Sequence, residues 1–368
     1  MSSQSNHKTY IQLTIELAKK GIGLVSPNPL VGAVIVKDDK IIGVGYHAKC
    51  GENHAEINAF NNCKESPEGA TLYVNLEPCS HYGKTPPCTD AIIKNKIIKV
   101  VIGTTDPNPL VSGKGVKALR EAGIEVITGI MEKECLELNK FFFKSITEKV
   151  PYVTLKIAQT LDSKIADNSF HSKWITSAES RTYVHELRAN YDAVLVGSNT
   201  VNIDNPELSV RLLEGRNPKR IILNSKLNLS LDKKIFSFKD DNTIIVCSNE
   251  EKENKKLSNE YEKNGIKVLF CDVNKKGKIK IKSVLTELYS LGITSILVEG
   301  GNKVFSSFVK KGLFDEIDVF ISPKILGTGV PSFSNLGIDK LSNSVSVRLN
   351  KVSTLGDDVL LVYKNNQN

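Results

Sequence analysis

Three residues able to bind zinc, with a carboxylate beside the first, constrain most strongly how this chain of 368 residues can fold. His54 is followed two residues later by Glu56, and Cys79 and Cys88 lie further along the chain. One imidazole and two thiolates fill three tetrahedral positions on Zn²⁺ and leave the fourth to water, which is typical of catalytic rather than structural zinc sites. The pattern therefore predicts an open zinc site between two structural elements.

The local sequence predicts how those elements reach the metal. Residues 54–62 are expected to start a helix, residues 70–76 to form a strand that leads to Cys79, and Cys88 to open a second helix. Residues two apart do not share a helix face, so His54 and Glu56 can both face the metal only from the first turn. The positive end of the second helix would favour a thiolate at Cys88.

Zinc nucleobase deaminases combine such ligands with a glutamate that transfers protons without binding the metal. The expected chemistry is hydrolytic, because zinc lowers the pKa of a bound water to about 7. Two alternatives remain open: Cys79 and Cys88 could belong to a structural metal clip, and His81 could supply a fourth ligand that closes the site. Eight residues separate the two cysteines, whereas the general deaminase signature has two.

This insert narrows the family. Residues 77–88 closely resemble the motif Glu-Pro-Cys-Ser-His-x-Gly-Lys/Arg-Thr-Pro-Pro-Cys of the bifunctional deaminase–reductases of riboflavin biosynthesis. The resemblance continues through residues 26–34 and 106–111 and into the second half of the chain. It implies a cytidine-deaminase-like three-layer α/β/α domain with a mixed five-stranded sheet, followed by a dihydrofolate-reductase-like α/β domain.

Helices and short apolar strands alternate along both halves, as a layered α/β protein requires. A single helix is predicted over residues 132–147, and a new strand begins at Tyr152. The domain boundary is therefore placed at about residue 149. The two domains are predicted as a zinc-dependent pyrimidine deaminase over residues 1–148 and an NADPH-dependent reductase over residues 149–368.

The second half has no Gly-x-Gly-x-x-Gly fingerprint. Residues 296–305 instead indicate a strand, a turn at Gly300-Gly301 and a helix start, which suits a phosphate but equally a plain tight turn. Together with residues 172–176 and 196–206, this segment resembles the reductase of the same pathway. The resemblance implies that NADPH contacts Ala158, Trp174, Thr200, Asp204, Ser225, Gly301, Asn302, Lys303, Val304, Phe305, Ser306 and Ser307.

The resemblance also implies substrate contacts in both halves. In the reductase half these are Ser172, Arg188, Leu208, Arg211 and Glu299, and arginine suits a bidentate hold on phosphate. In the deaminase half, candidates are Asn28 and His47 for the ring, and Lys84 and Thr85 for the ribose phosphate.

Several of these residues have structural alternatives. Arg188 could form a surface salt bridge, His47 could be a satisfied structural histidine, and Trp174 could belong to the core. Lys156 and Asp162 lie where the family's cleft opens, but either could be merely solvated. Ser163 stands where the family commonly has glycine, which costs conformational energy if that position requires a positive φ.

The implied reactions are zinc-dependent deamination of 2,5-diamino-6-ribosylamino-4(3H)-pyrimidinone 5′-phosphate and NADPH-dependent reduction to 5-amino-6-(5-phosphoribitylamino)uracil, with Glu56 as the proton carrier. One rival is a tRNA or cytidine deaminase with an appended module. A non-enzymatic rival is a zinc-stabilised binding protein. Loss of the fold on chelation would favour the latter.

Composition limits the partners. The net charge is +8, but the lysines are dispersed, which favours a surface that attracts anionic small molecules over a nucleic-acid partner. No apolar run approaches the roughly 20 residues of a membrane span, no signal peptide is recognised, and seven cysteines show no disulfide pattern. We expect a cytoplasmic protein acting on a small phosphorylated pyrimidine, and a homo-oligomer is compatible with the sequence.

Overall fold

The computed structural model describes residues 3–82, 86–108, 112–238 and 240–366. The chain divides into two compact units, residues 1–149 and residues 150–368. Each unit has its own sheet and its own hydrophobic core.

The first unit is a five-stranded sheet covered by helices. Its helices are α1 (Ser3–Lys19), α2 (Ala55–Asn61), α3 (Cys88–Lys94), α4 (Lys114–Glu121), α5 (Glu132–Leu138) and α6 (Lys140–Glu148). Its strands are β1 (Gly32–Lys37), β2 (Lys40–Tyr46), β3 (Thr71–Leu76), β4 (Lys99–Thr104) and β5 (Glu125–Thr128). The order is β2-β1-β3-β4-β5, in which β1 is antiparallel to both neighbours and β3, β4 and β5 are parallel. The mixed five-stranded sheet that the resemblance implies is thus confirmed.

The central strands are nearly continuous apolar runs because both faces of the sheet are covered. Successive residues of a strand point to opposite faces. Ala33 and Ile35 accordingly pack in one core with residues of α2, α3 and α4, whereas Val34 and Val36 pack in another with α1 and Cys135 of α5. The result is a three-layer α/β/α unit.

The prediction of one helix over residues 132–147 is wrong. Asn139 (φ −106°, ψ 20°) separates α5 from α6. Its buried side-chain amide accepts a hydrogen bond from the Leu30 N–H at 2.7 Å and donates one to the Leu30 carbonyl at 2.9 Å. Asn75 donates to the same carbonyl at 2.9 Å and accepts from the Gly32 N–H at 2.8 Å. The helix is therefore interrupted where an asparagine anchors the segment that precedes β1.

The second unit contains a nine-stranded sheet. Its helices are α7 (Ala178–Asn190), α8 (Ser198–Asp204), α9 (Lys255–Lys263), α10 (Ile281–Ser290) and α11 (Asn302–Val309), with 3₁₀ turns at Lys234–Phe236, Asn249–Glu253 and Leu341–Asn343. Its strands are β6 (Tyr152–Thr160), β7 (Lys164–Ala166), β8 (Ala193–Gly197), β9 (Lys219–Leu223), β10 (Thr243–Ser248), β11 (Ile266–Cys271), β12 (Ser295–Gly300), β13 (Glu316–Ser322), β14 (Val330–Pro331), β15 (Val347–Leu355) and β16 (Asp358–Asn365).

The large sheet has the order β11-β10-β9-β8-β12-β6-β13-β16-β15. Its seven strands from β11 to β13 run parallel, and β16 and β15 close it antiparallel. Open parallel sheets bind ligands outside the carboxyl ends of their strands. The ends of β6, β8 and β12 lie side by side, so this edge is where the fold favours a site.

Strand β6 supplies both a core face and a polar face. Val153, Leu155 and Ile157 join the core that contains α10 and α11. The alternate residues face the side of α7: the Thr154 hydroxyl is 2.6 Å from the hydroxyl of Tyr191, which follows α7, and Ala158 packs against the same small hydrophobic cluster as Leu187. Lys156 belongs to this second face, because side chains alternate along a strand. Within the described residues, no helix is both long and apolar enough to cross a lipid bilayer.

Candidate active sites

The start of α2 presents His54 and Glu56 together. His54 is the residue before the helix, with extended backbone (φ −68°, ψ 161°), and Glu56 is the second helical residue. Cys88 is the first residue of α3, and its backbone N–H donates to the Cys79 sulfur at 3.4 Å. The structure therefore places the cluster beside the first turns of two helices, as the sequence predicts.

The three ligand atoms fit a tetrahedral zinc ion. His54 Nδ1 lies 3.2 Å from Cys88 Sγ and 3.6 Å from Cys79 Sγ, and all three atoms are within 4.8 Å of one another. Zinc with ordinary bond lengths to nitrogen and sulfur holds two such ligands about 3.6 Å apart. In the part of the chain that is described, His81 is not in this group of ligand atoms. The alternative in which His81 closes a structural zinc site therefore lacks its fourth ligand among the described residues.

The cluster also favours a thiolate. The hydrogen bond with Cys88, opposed by burial and aided by His54, lowers the pKa of Cys79 to about 4. The hydrogen bond with Cys79 and burial raise the pKa of Cys88. Two thiols so close share a proton until a cation displaces it. Burial and the neighbouring Cys79 raise the pKa of Glu56, which is 3% exposed.

A cavity of about 500 Å³ opens beside this cluster, and Asn28, His47, Glu56 and Asp106 contribute to its wall. The Nδ1 of His47 lies 3.0 Å from the Asn53 carbonyl, to which it donates, and its Nε2 accepts from the Asn28 amide nitrogen at 3.1 Å. Burial lowers the pKa of His47, which keeps the ring neutral and able to accept. His47 is thus satisfied within the chain, and it orients Asn28 in the cavity wall.

Sequence reasoning assigned no role to Glu77 or Asp106. The Glu77 carboxylate accepts N–H groups from Asp106 at 3.1 Å, Gly113 at 3.0 Å and Val116 at 3.1 Å. It therefore ties the loop after β4 and the start of α4 to the strand end that leads to Cys79. Burial raises the pKa of Asp106 to about 6. The sequence signal for Glu77 was an acidic residue directly after a buried strand. Lys84 and Thr85 lie outside the described residues.

A second cavity, of about 690 Å³, lies at the carboxyl ends of β6, β8 and β12. Eleven of the residues predicted for the reductase half line it: Ala158, Ser172, Trp174, Arg188, Thr200, Asp204, Leu208, Arg211, Glu299, Gly301 and Phe305. Six are not in its wall: Ser225, Asn302, Lys303, Val304, Ser306 and Ser307. The Ser306 hydroxyl has a structural role, because it donates to the Asn302 carbonyl and accepts from the Ser334 N–H.

A buried ionic cluster forms one wall of this cavity. Arg188 grips Glu299 with two hydrogen bonds, Nε to Oε1 at 2.6 Å and Nη2 to Oε2 at 2.9 Å, and Lys156 Nζ lies 3.2 Å from Oε2. Burial alone would raise the pKa of Glu299, but the charges of Arg188 and Lys156 hold it well below its usual value. Arg188 is therefore not in a surface salt bridge, and Lys156 is not merely solvated.

The surroundings of Trp174, Asp162 and Ser163 decide between the alternatives that the sequence left open, and of these three Trp174 lines the second cavity. Trp174 is 61% exposed, with the Arg181 guanidinium 4.5 Å from its ring centroid, so it is not a core residue. The Asp162 carboxylate accepts N–H groups from Leu326 and Gly327 and thereby closes a loop. Ser163 has φ +63°, so this position does require the left-handed conformation.

Two family descriptions match the chain. Residues 151–361 match the RibD C-terminal domain, and residues 4–104 match the cytidine and deoxycytidylate deaminase zinc-binding region. A riboflavin biosynthesis protein RibD from Aquifex aeolicus is 49% identical over 358 residues, which is 97% of this chain and 98% of that protein. The chain belongs to the RibD family.

Solved structures of the RibD family extend the match to three dimensions. The crystal structure of a diaminohydroxyphosphoribosylaminopyrimidine deaminase/5-amino-6-(5-phosphoribosylamino)uracil reductase from Thermotoga maritima is 42% identical, with a TM-score of 0.88 over 99% of this chain and 100% of that one. A structure of Acinetobacter baumannii RibD is 37% identical, with a TM-score of 0.89 over the same shares. The expected pair of folds, cytidine-deaminase-like and dihydrofolate-reductase-like, is confirmed.

Membership of the RibD family makes this chain a bifunctional deaminase and reductase of riboflavin biosynthesis, with zinc and NADPH as cofactors. Both cofactors fit the described residues. The donor set and spacing of His54, Cys79 and Cys88 suit zinc. At the second cavity, a Cβ on Gly301 would lie 3.3 Å from Thr200 Oγ1. Glycine therefore leaves room for a phosphate to approach the start of α11.

Proposed function

We propose that the first unit deaminates 2,5-diamino-6-ribosylamino-4(3H)-pyrimidinone 5′-phosphate and that the second unit reduces the product to 5-amino-6-(5-phosphoribitylamino)uracil. The observation that carries the proposal is the three-ligand cluster with Glu56 buried beside it in the wall of a cavity. The Thermotoga maritima relative, a deaminase and reductase of such compounds, supports the choice of substrates.

In the deamination, His54, Cys79 and Cys88 would hold the zinc, which would supply the Lewis acidity that lowers the pKa of a water to about 7. Glu56 takes a proton from the attacking water and passes it to the departing amine, so that water and the amino-pyrimidine become ammonia and a carbonyl. Its raised pKa suits a group that must hold this proton briefly. Asn28, oriented by His47, holds the ring, and Lys84 and Thr85 bind the ribose phosphate.

In the reduction, the ribose C1–O bond breaks, the ring oxygen takes a proton, and the resulting C1=N carbon accepts the hydride that bound NADPH would supply. Lys156, in the cavity wall, donates the proton that the ring oxygen needs, and Glu299 holds the lysine in place. Trp174, Thr200, Asp204 and the start of α11 would hold the NADPH. The predicted contacts from Ser225, Asn302, Lys303, Val304, Ser306 and Ser307 require the bound cofactor to extend beyond the described cavity.

The direct test is Glu56→Gln. Ammonia release from the pyrimidine substrate should be lost while zinc stays bound, because the metal ligands are untouched. NADPH oxidation with the deaminated product should continue. Glu68→Gln changes an exposed carboxylate that pairs with Lys96 at 2.8 Å, and it serves as the matched control. Full ammonia release by Glu56→Gln would exclude Glu56 as the proton carrier.

We also propose that the substrate is a small phosphorylated pyrimidine rather than nucleic acid. The enzyme acts in the cytoplasm, away from membranes, and its assembly is a homo-oligomer. The rival, a tRNA or cytidine deaminase, predicts ammonia release from RNA or free nucleosides. Incubation of the zinc-loaded protein with those compounds and with the phosphorylated pyrimidine separates the two.

A further inference from the structure

Helix α7 presents a row of nitrogen-bearing side chains to the second cavity. Arg181, His185 and Arg188 all line it, at the spacing of one helix face. Arg188 is hydrogen-bonded to Glu299 and the Ser209 carbonyl, and Arg181 contacts the Thr176 carbonyl and the ring of Trp174. His185 is 4% exposed, and no step described above uses it.

The ring of His185 has a defined tautomer. Its Nδ1 accepts a hydrogen bond from the backbone N–H of Arg211 at 3.1 Å. A neutral imidazole that accepts at Nδ1 carries its hydrogen on Nε2, so Nε2 is a donor. A second proton on Nδ1 would face the Arg211 N–H and break this contact. His185 therefore fixes the backbone of Arg211 only while it is neutral.

The two arginines assigned to the substrate phosphate differ in availability. The side chain of Arg188 is 11% exposed and is held by Glu299. The side chain of Arg211 is 49% exposed, and its carboxylate neighbour Glu207 lies 3.8 Å away. A phosphate entering the cavity would therefore be bound by Arg211. The position of that guanidinium depends on what holds the backbone of residue 211.

We propose that His185 is a positioning residue for the phosphate end of the reductase substrate, which fixes Arg211 through its backbone N–H and offers Nε2–H as a further donor. This rests on the proposed function, because it takes the phosphorylated ribosylaminouracil as the substrate. The chemical group recognised is a phosphate monoester dianion, for which a guanidinium and a neutral N–H donor are suitable partners.

The surroundings keep the imidazole of His185 neutral. Burial, and then the charges of Arg188 and Arg211, lower the pKa of His185 to about 4, against the opposing effect of Glu299. The ring is consequently neutral at pH 7. It adds a hydrogen-bond donor to the cavity without adding a further cation beside Arg188 and Arg211.

The test compares His185→Asn with His185→Gln, because an asparagine oxygen can occupy the position of Nδ1 whereas a glutamine amide occupies that of Nε2. The readouts are KM and kcat with the phosphorylated and the dephosphorylated substrate, and the Kd of inorganic phosphate by calorimetry. With His185→Gln we expect KM for the phosphorylated substrate to rise roughly 10- to 100-fold, with kcat within about threefold. KM for the dephosphorylated substrate should hardly change, and His185→Asn should recover most of the loss.

Three results would overturn the proposal: equal losses with both substrates, a loss in kcat alone, or no difference between the Asn and Gln variants. His171→Gln, at a side chain that is 81% exposed, is the control for loss of a histidine. If His185→Gln does not fold, Arg211→Ala decides, and unchanged phosphate discrimination in that variant counts against the proposal. If the wild type oxidises no NADPH with either substrate, the proposed function fails, and the phosphate Kd of each variant still decides the role of His185.

Discussion

The zinc cluster and the ionic cluster of the second cavity treat buried charge in opposite ways. His54, Cys79 and Cys88 bring together donor atoms that can bind a metal cation, whereas Glu299 is neutralised by Arg188 and Lys156. The first cluster is complete only when an ion binds, because its thiolates need a positive partner. The second is complete in the folded chain. One site therefore depends on metal supply, and the other on the stability of its own fold.

Changing a metal ligand should separate the two activities most clearly. Cys88→Ala removes a ligand at the start of α3, so zinc should be lost and ammonia release should fall by roughly 10³-fold or more. NADPH oxidation with the deaminated product should be unchanged, because Cys88 belongs to the first unit and the residues that line the second cavity belong to the second. Zinc content by atomic absorption and the two assays measure this.

Cys63→Ala is the matched control, because Cys63 is a free cysteine of the same unit outside the cluster. It should keep both activities. The far-ultraviolet circular dichroism of Cys88→Ala should remain that of the wild type, since the core of the first unit is apolar and does not need the ion. Unfolding on loss of zinc would instead favour a structural metal.

A change in the ionic cluster of the second cavity should lower the free energy of unfolding. Glu299→Gln leaves the charges of Arg188 and Lys156 buried without their counterion, which costs about 3–5 kcal/mol in the free energy of unfolding. Asp272→Asn disrupts an exposed pair with Lys280 at 3.6 Å and should cost about 1 kcal/mol or less. Urea unfolding followed by the fluorescence of Trp174, the single tryptophan, compares the two.

The difference in stability between wild type and Glu299→Gln should depend on pH in one direction. The pKa of Glu299 is lower in the folded than in the unfolded chain, so its stabilisation is fully present above the unfolded value of about 4.3. It is lost as pH falls from there through the folded pKa. The gap between wild type and Glu299→Gln should be constant near neutral pH and shrink in acid. A gap that instead grows in acid would contradict the charge pairing.

The contrast also explains what sequence could predict. The zinc ligands and Glu56 lie within residues 54–88 at the starts of two helices, so the spacing of local motifs identifies them. Arg188 and Glu299 were assigned separately to the substrate. Their pairing spans 111 residues, which no local pattern encodes. Strand β13 was not predicted, because Glu316 and Asp318 resemble surface residues although both are buried.

Asn139 sharpens the comparison within the first unit, where a polar side chain supports the site without charge. Asn139→Ala leaves the partly buried Leu30 N–H without this acceptor, which should cost about 1–3 kcal/mol. It should also raise the deaminase KM, because the loosened segment carries Asn28. Asn62→Ala, at an exposed residue that donates to the Val44 carbonyl at 3.0 Å, should do neither. An unchanged KM would separate Asn139 from the placement of Asn28.

The smallest expected effect lies in the turn between β6 and β7. Ser163 has φ +63°, a conformation that costs an L-residue about 1–2 kcal/mol and glycine almost nothing, while glycine loses about 0.5–1 kcal/mol more backbone entropy on folding. Ser163→Gly should therefore stabilise the second unit by about 0.5–1 kcal/mol in urea unfolding. Ser344→Gly, at an exposed residue with φ −62°, should destabilise it slightly. If both substitutions destabilise equally, the hydrogen bonds around residue 163 outweigh its backbone conformation, and serine is then no handicap to this loop.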